Sequence, residues 1–311
     1  MSGSPSSGAS GVAGALRFAV IGEPIAHSRS PAMHTAAYRA LKMEHTYEKL
    51  ETSAEQLPER IESLRRGDYA GLNVTVPHKA RVLKLVDEVH ASARATGAAN
   101  TLVRLPDGRI RAHNTDMPAI AEEITRLAGP HATKLKGGVG LVIGTGGAAR
   151  AAIVALASHL GLGRVLIRGR SLSETGHAIA YVRVIDRILA DAGGRGVAVA
   201  LGADGLHAPD KEDARLVAII QATSCGMKGA SPGEVVAEAV RWEQVPADAV
   251  ALDVVYAPTR TPFLDRAVAR GIKADNGLGM LARQGALAFE LWLGVPPPVG
   301  IMRAAIDDSL S

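Results

Sequence analysis

Between an apolar strand and an alanine-rich helix stands Gly144-Thr145-Gly146-Gly147-Ala148-Ala149, and this turn constrains the fold more than any other feature of the chain. Residues 138–144 (GVGLVIG) read as a buried strand and residues 146–160 as the helix. The pattern is G-x-G-x-x-(G/A). The first glycine permits the tight turn, the second lets a pyrophosphate approach the backbone, and the helix N-terminus offers free N–H groups and partial positive charge. A glycine run alone would mark only a tight turn; the strand before it and the helix after it select the dinucleotide reading. Further apolar strands follow at 163–169, 197–201, 216–220 and 249–255, with a long helix over about 175–192. This β-α-β order predicts a parallel, doubly wound α/β sheet.

The end of the second strand of such a sheet discriminates between dinucleotides. An acidic residue there holds the ribose hydroxyls of NAD. Here the strand ends Arg168-Gly169-Arg170-Ser171, with no acid. Guanidinium and hydroxyl groups suit a 2′-phosphate, so NADP is the expected cofactor, with Thr145, Gly146, Gly147 and Ala148 on its phosphates. Glu174 keeps NAD open as the alternative.

The first half of the chain places its polar residues after strands. Residues 16–22 read as a buried strand, and Ser30-Pro31 as a helix start with Ser30 at the N-cap; this helix is expected to reach about Lys42. Strands are expected at 45–52 and 69–76, helices at 54–66 and 79–86, and two strands about the turn Pro106-Asp107-Gly108, before a helix from Asp116 to about Leu127. Gly129-Pro130 and the residues after it read as a linker. In Asn73-Val74-Thr75-Val76-Pro77-His78-Lys79, a β-branched strand stops at a proline and presents a lysine just beyond. Asn73, Thr75 and Lys79 then meet at one strand end, where a lysine can donate a proton or hold an oxyanion. Ser28 and Ser30 are spaced to bond one carboxylate, and equally Ser30 could serve only as a cap. Asp116 by itself reads first as a helix cap.

These segments together resemble the shikimate dehydrogenase family. The matches are Gly22 to Pro31 with its His27-Ser28-Arg29-Ser30-Pro31; the Asn73–Lys79 heptapeptide; Gly97-Ala98-Ala99-Asn100-Thr101; Asn114-Thr115-Asp116; Gln221-Ala222-Thr223-Ser224-Cys225-Gly226-Met227; Asp253 to Pro258; and Asn276 to Ala286. They run in family order over residues 17 to about 295. The resemblance implies that Lys79 and Asp116 are catalytic. It implies that Ser28, Ser30, Asn73, Thr75, Asn100, Tyr256 and Gln284 bind substrate. For the cofactor it implies Gly144, Thr145, Gly146, Gly147, Ala148, Arg168, Arg170, Ser171, Thr223, Ser224, Met227, Gly277 and Met280. It further implies two α/β domains: residues 16–117 with 276–311 binding substrate, and 118–275 binding NADP, the helix from Asn276 to Leu293 returning to the first domain. The implied reaction is reversible reduction of 3-dehydroshikimate to shikimate in the pathway to chorismate and the aromatic amino acids. Three departures stand out: Met117 where relatives have glycine, Gln221 where they have asparagine, and Gly169 in place of the asparagine of an Asn-Arg-(Thr/Ser) motif. Alternative readings are an NAD-dependent quinate/shikimate dehydrogenase, an amino-shikimate variant, and a non-catalytic metabolite sensor, which would be expected to have lost Lys79 or Asp116.

Composition sets outer bounds. In 311 residues, 47% are hydrophobic but only 3% aromatic, so Ala, Val, Leu and Ile must fill the core, as they do when helices pack on a parallel sheet. The net charge of +4 is spread as single basic residues, with no stripe for nucleic acid. One cysteine, Cys225, permits no intrachain disulfide, and it reads as a buried small residue. No apolar stretch reaches membrane length. The Ser/Gly-rich residues 1–15 lack the features of a secretory signal and read as a disordered tail, so the expected location is cytoplasmic. The ten histidines show no metal-ligand spacing, so no metal is expected. The expected partners are the small-molecule substrate and cofactor, and the chain is expected to be a monomer or homodimer.

Overall fold

The structure is a computed structural model that describes residues 14–191, 198–199, 206 and 215–309. The first sheet begins with β1 (Arg17–Gly22), followed by α1 (Ser30–Ala40), β2 (Thr46–Glu51), α2 (Leu57–Arg66), β3 (Gly71–Val74), β4 (Glu88–Val89), α3 (Ala91–Thr96), β5 (Thr101–Arg104) and β6 (Ile110–His113). Its strand order is β2-β1-β3-β5-β6-β4. β1 runs parallel to β2 and β3, whereas β3, β5 and β6 are antiparallel to one another in turn.

The helix α4 (Asp116–Ala128) leads to a second sheet built from β7 (Val139–Ile143), α5 (Gly147–Val154), β8 (Arg164–Arg168), α6 (Thr175–Asp191), β9 (Ala198–Val199), β10 (Leu216–Gln221), α7 (Glu234–Ala237), β11 (Val250–Asp253), α8 (Pro262–Ala269) and β12 (Lys273–Asp275). Every pairing is parallel, in the order β12-β11-β10-β7-β8-β9. The chain reverses direction of travel between β7 and β10, and the crevice outside their carboxyl ends is where open α/β sheets bind ligands. The glycine-rich turn lies there, directly after β7. Buried on both faces, these strands read as continuous apolar runs, as the sequence predicted.

The last helices, α9 (Leu278–Leu293) and α10 (Val299–Asp308), pack on the first sheet. Leu278, Ala282, Ala286, Phe289, Met302 and Ile306 share a core with Phe18, Val20, Met33 and Tyr38. Trp292 stacks on Phe18 at 4.9 Å and donates its indole N–H to Leu102 O at 2.9 Å. A Cβ on Gly71 would lie 2.2 Å from that indole nitrogen, which explains a glycine at the start of β3. α4 packs along α9, and Glu123, 1% exposed, pairs with both Arg126 and Arg283 across them.

Several boundaries differ from the sequence reading. Residues 79–86 hold only a 3₁₀ turn, Arg81–Lys84. Ser30 is the first helical residue rather than the cap, and its N–H is received by Ser28 Oγ at 3.3 Å. The expected linker contains a 3₁₀ helix, Gly129–Lys134. The alanine-rich helix is α-helical to Val154 and closes in a π-turn, Ala155–His159, in which Leu160 N reaches Ala155 O. α9 starts at Leu278, with Asn276 Oδ1 receiving its first N–H at 3.0 Å. Residues 1–13 of the tail expected at 1–15 lie outside the described residues, as does most of the strand expected at 197–201.

Candidate active site

The site forms where β3 and β6 end and β5 and α4 begin. Lys79 Nζ donates to Asp116 Oδ2 at 2.6 Å, the lysine side chain 14% exposed and the aspartate 3%. A lone buried carboxylate would be strongly disfavoured, so the cation and the amide beside it are what permit an ionised pair here. That amide is Asn100: its Nδ2 lies 2.8 Å from Asp116 Oδ1, 2.9 Å from Thr115 Oγ1 and 3.2 Å from Gln284 Oε1. Asn100 Oδ1 in turn receives the N–H of Thr115 at 2.7 Å. Asp116 is not the cap that its isolated reading expected: Thr115 holds that position, Asp116 is the first residue of α4, and its carboxylate is turned to Lys79.

Asn73 extends this network toward the parallel half of the sheet. Its Nδ2 donates to Asn100 O at 3.1 Å and Thr101 Oγ1 at 3.2 Å, while its Oδ1 accepts from Tyr47 OH at 2.7 Å. Tyr47 is a residue the sequence reading missed. It sits on β2, paired with Phe18, while Asn73 on β3 is paired with Val20, so the two side chains meet across β1. Burial pushes the Tyr47 phenol well above its usual range, against the opposing effect of a hydrogen bond with Ser30. This phenol therefore joins Ser30 to Asn73. The Ser28–Ser30 loop is also held by Tyr256 OH, 3.4 Å from His27 O, and by Lys49 Nζ, 2.6 Å from Ala26 O. Thr75 closes on Gly22, where a Cβ would lie 2.4 Å from the threonine methyl.

On the second sheet, Gly144 has φ +130°, a conformation that favours glycine. A Cβ on Gly144 would lie 2.9 Å from Ala222 O and 3.2 Å from the Thr223 methyl, which sets the loop 221–227 directly against the glycine-rich turn. A Cβ on Gly146 would meet nothing, so the groove before α5 is open, and Gly146 itself caps α5 without a side chain. Thr145 Oγ1 lies 3.1 Å from Ser171 Oγ, joining the turn to the end of β8. Arg170 and Ser171 are exposed there. The glycines, the hydroxyls and the exposed guanidinium fit a phosphorylated dinucleotide.

Arg168 does not take the place expected of it. It is 2% exposed, and its guanidinium turns into the domain to donate to Ala239 O. In a strand covered on both faces even the last side chain can point inward, and this one does. Of the two strand-end arginines, Arg170 alone is exposed. The sequence departures have local explanations. Met117 lies within α4 and needs no positive φ; its N–H is received by Asn114 Oδ1 at 3.0 Å. Gln221, fully buried, donates to Cys225 O and to Asp253 Oδ1, both at 3.2 Å, which braces the 221–227 loop against β11. Cys225 is buried. Thr223 Oγ1 receives the Cys225 N–H at 3.0 Å, while Ser224 is exposed. Gly277, against Val254 O, and Met280, 8% exposed, lie at the start of α9. Among the described residues no group of three or more His, Cys, Asp or Glu is arranged to hold a metal, and no helix is long and apolar enough to cross a membrane.

The two halves meet at Lys79. A Cβ on Gly147, the first residue of α5, would press on Lys79 Cβ at 3.0 Å and Cδ at 3.1 Å. A lysine–aspartate pair that backs onto the dinucleotide turn of a parallel sheet is the arrangement of a nicotinamide-dependent dehydrogenase.

Comparison with known proteins carries this further. The profile of the shikimate dehydrogenase substrate binding domain matches residues 20–102, and that of the shikimate 5′-dehydrogenase C-terminal domain matches residues 277–306. The chain is 40% identical over 280 residues to the shikimate dehydrogenase (NADP(+)) of Methylobacterium radiotolerans, covering 90% of this chain and 92% of that one. Shikimate 5-dehydrogenase from Thermus thermophilus, solved in complex with NADP(H) and shikimate, superposes with a TM-score of 0.75 at 37% identity, covering 95% of this chain and all (100%) of that one. Quinate dehydrogenase from Corynebacterium glutamicum, in complex with NAD, gives a TM-score of 0.79 at 30% identity, over 94% of this chain and 99% of that one. The chain belongs to the shikimate dehydrogenase family.

Proposed function

We propose that this protein catalyses the NADP-dependent, reversible reduction of 3-dehydroshikimate to shikimate, serving chorismate and aromatic amino acid biosynthesis. The observation that carries the reading is the Lys79–Asp116 pair, fixed by Asn100 and Gln284 and backed by Gly147 of the dinucleotide turn. NADPH, when bound, supplies the hydride that reduces the ring carbonyl. The glycine turn, Thr145, Arg170 and Ser171 would hold its phosphates, with the 221–227 loop and Met280 at its other end. Lys79 Nζ gives a proton to the carbonyl oxygen as negative charge develops there, and takes one from the hydroxyl in the reverse direction. Asp116 and Asn100 keep the lysine aimed at that oxygen. Asn73, Thr75, Asn100 and Gln284 orient the ring hydroxyls, and Ser28, Ser30 and Tyr256 the carboxylate.

The division of labour follows the two sheets. Residues 16–117 with 276–311 form the substrate domain, and 118–275 the cofactor domain. The active chain is a monomer or homodimer in the cytoplasm.

A second reading, an NAD-dependent quinate/shikimate dehydrogenase, is favoured by the likeness to the Corynebacterium glutamicum protein and by Glu174 near the end of β8. Against it, Glu174 is engaged with His177 Nδ1 at 3.1 Å beside the start of α6. Steady-state oxidation of shikimate and of quinate, each with NADP and with NAD, decides. Preference for shikimate with NADP supports the first reading. Preference for quinate or NAD supports the second, and absence of turnover in all four combinations removes both.

A further inference from the structure

The helix that follows the glycine turn does more than face the dinucleotide groove. One turn along α5, Arg150 reaches out of the second sheet's domain, and its Nη1 donates to Gly97 O at 3.2 Å. Gly97 ends α3 with φ +58°. Both α5 and α6 press on it: a Cβ there would lie 2.9 Å from Ile188 Cδ1 and 3.3 Å from Arg150 Nη1. The three residues after Gly97 hold Asn114, Lys79 and Asp116 in turn. Ala98 O receives Asn114 Nδ2 at 3.0 Å, two residues before Asp116. Ala99 N donates to Lys79 O at 2.7 Å. Asn100 Nδ2 lies 2.8 Å from Asp116 Oδ1.

Arg150 is a costly choice if the contact only glues two helices together. Its Nε is buried without a partner, and no acidic side chain pairs with it among the described residues. An apolar side chain would pack there without the desolvation penalty of a guanidinium. Tyr181 is a polar side-chain neighbour of Arg150: burial pushes that phenol up to about 12, and the charge of Arg150 and a hydrogen bond with it work the other way.

We infer that Arg150 is a positioning residue: through the carbonyl of Gly97 it ties the dinucleotide-binding helix to the loop that sets Lys79, Asn100 and Asp116. The same helix touches the reacting pair twice, at its first residue through Gly147 against the Lys79 side chain and at its fourth through Arg150. Cofactor phosphates held at the start of α5 and a proton donor held by the 97–100 loop are thereby kept in register by one turn of helix. The inference rests on the dehydrogenase reading above.

The test compares Arg150→Met, which keeps the length and packing, with Arg150→Lys, which keeps a donor. Three quantities are read on each purified full chain: kcat for shikimate oxidation at saturating NADP, the dissociation constant of NADPH by fluorescence titration, and the thermal midpoint. The shikimate dissociation constant with and without NADPH is measured in parallel. For Arg150→Met the expected result is a kcat about tenfold lower, with NADPH affinity within twofold and the midpoint nearly unchanged, and a smaller effect of NADPH on shikimate affinity than in wild type; Arg150→Lys recovers part of the kcat. Unchanged kcat would overturn the inference. So would a loss of kcat matched by equal loss of NADPH affinity or by melting, with Arg150→Lys no better than Arg150→Met. Failure of the wild-type protein to oxidise shikimate would instead remove the dehydrogenase reading on which the inference stands.

Discussion

Lys79 and Asp116 share a 2.6 Å hydrogen bond although 37 residues separate them, and the contact joins a strand-end loop to the first residue of a helix. Neither group is useful alone at this depth. A buried carboxylate without the ammonium would be left without its charge partner, and the lysine would lose the contact that fixes its Nζ.

Asn100 is the residue that keeps the pair from wandering, because its amide bonds Asp116, Thr115 and Gln284 together. Asn100→Ala should lower kcat for shikimate oxidation by roughly ten- to a hundredfold, the range expected from about 1.5–3 kcal/mol for one hydrogen bond to a charged group. Steady-state kinetics at saturating substrate check this. A kcat within twofold of wild type would show that Asp116 holds its place without the amide.

Tyr47 acts one step further out, donating to Asn73 Oδ1 at 2.7 Å. Tyr47→Phe keeps the ring stacked on His34 at 4.4 Å and removes only the hydroxyl. KM for shikimate should rise by about fivefold, in keeping with about 1 kcal/mol for a neutral hydrogen bond, while kcat changes little. A fall in kcat with unchanged KM would place the phenol in the chemistry rather than in binding.

Arg170 is the exposed guanidinium at the end of β8, and the account gives it the 2′-phosphate. Arg170→Ala should raise KM for NADP by about tenfold or more and leave KM for NAD unaltered. The contrast with Arg168→Met is informative. Arg168 is buried against Ala239, so its loss should lower the thermal midpoint without changing the NADP to NAD ratio. Equal effects of Arg170→Ala on both cofactors would contradict the assignment.

Two buried groups give the stability opposite slopes with pH. Burial raises the Asp253 carboxyl from 3.8 to about 7, against hydrogen bonds from Thr261 and Val255 that lower it. A raised carboxyl pKa favours folding while the group is protonated, so this contribution is complete below about 4 and is lost as pH rises through about 7. Burial lowers the His34 imidazole from 6.5 to about 3, and both ring nitrogens lack partners. That contribution is complete above about 6.5 and is lost as pH falls toward about 3. Both windows fall between about pH 3 and 7, so thermal midpoints from calorimetry across that range should show Asp253→Asn removing a fall with rising pH and His34→Leu removing a fall with falling pH. Variant profiles parallel to wild type would rule out both groups as the source.

Much of this is legible in the chain. Residues 138–160 announce strand, turn and helix by themselves, because a glycine turn after an apolar run has few other uses. Lys79 and Asp116 are identified by motif, and only the structure brings them together. What cannot be read depends on contacts distant in sequence. Asn100 and Gln284 are 184 residues apart, and nothing in the period of α9 says which sheet it covers. Tyr47 needs the register of three strands. Arg168 is misplaced by the motif because a strand buried on both faces has no outward side for its polar residues to mark. Met117 looks like a loss of backbone freedom, yet its position is helical. Composition suggests a helix at 79–86, but the stretch forms a single 3₁₀ turn after Val76-Pro77.

The central claim is that Lys79 moves the proton while other residues hold the ring. Its most direct test is Lys79→Ala, with kcat measured at saturating shikimate and NADP and with the shikimate dissociation constant measured by calorimetric titration. General acid–base help of this kind contributes about 10²–10⁴-fold, so kcat should fall by that factor while the dissociation constant stays within a few-fold of wild type. A variant that turns over normally but binds shikimate poorly would contradict the account and make Lys79 a binding residue.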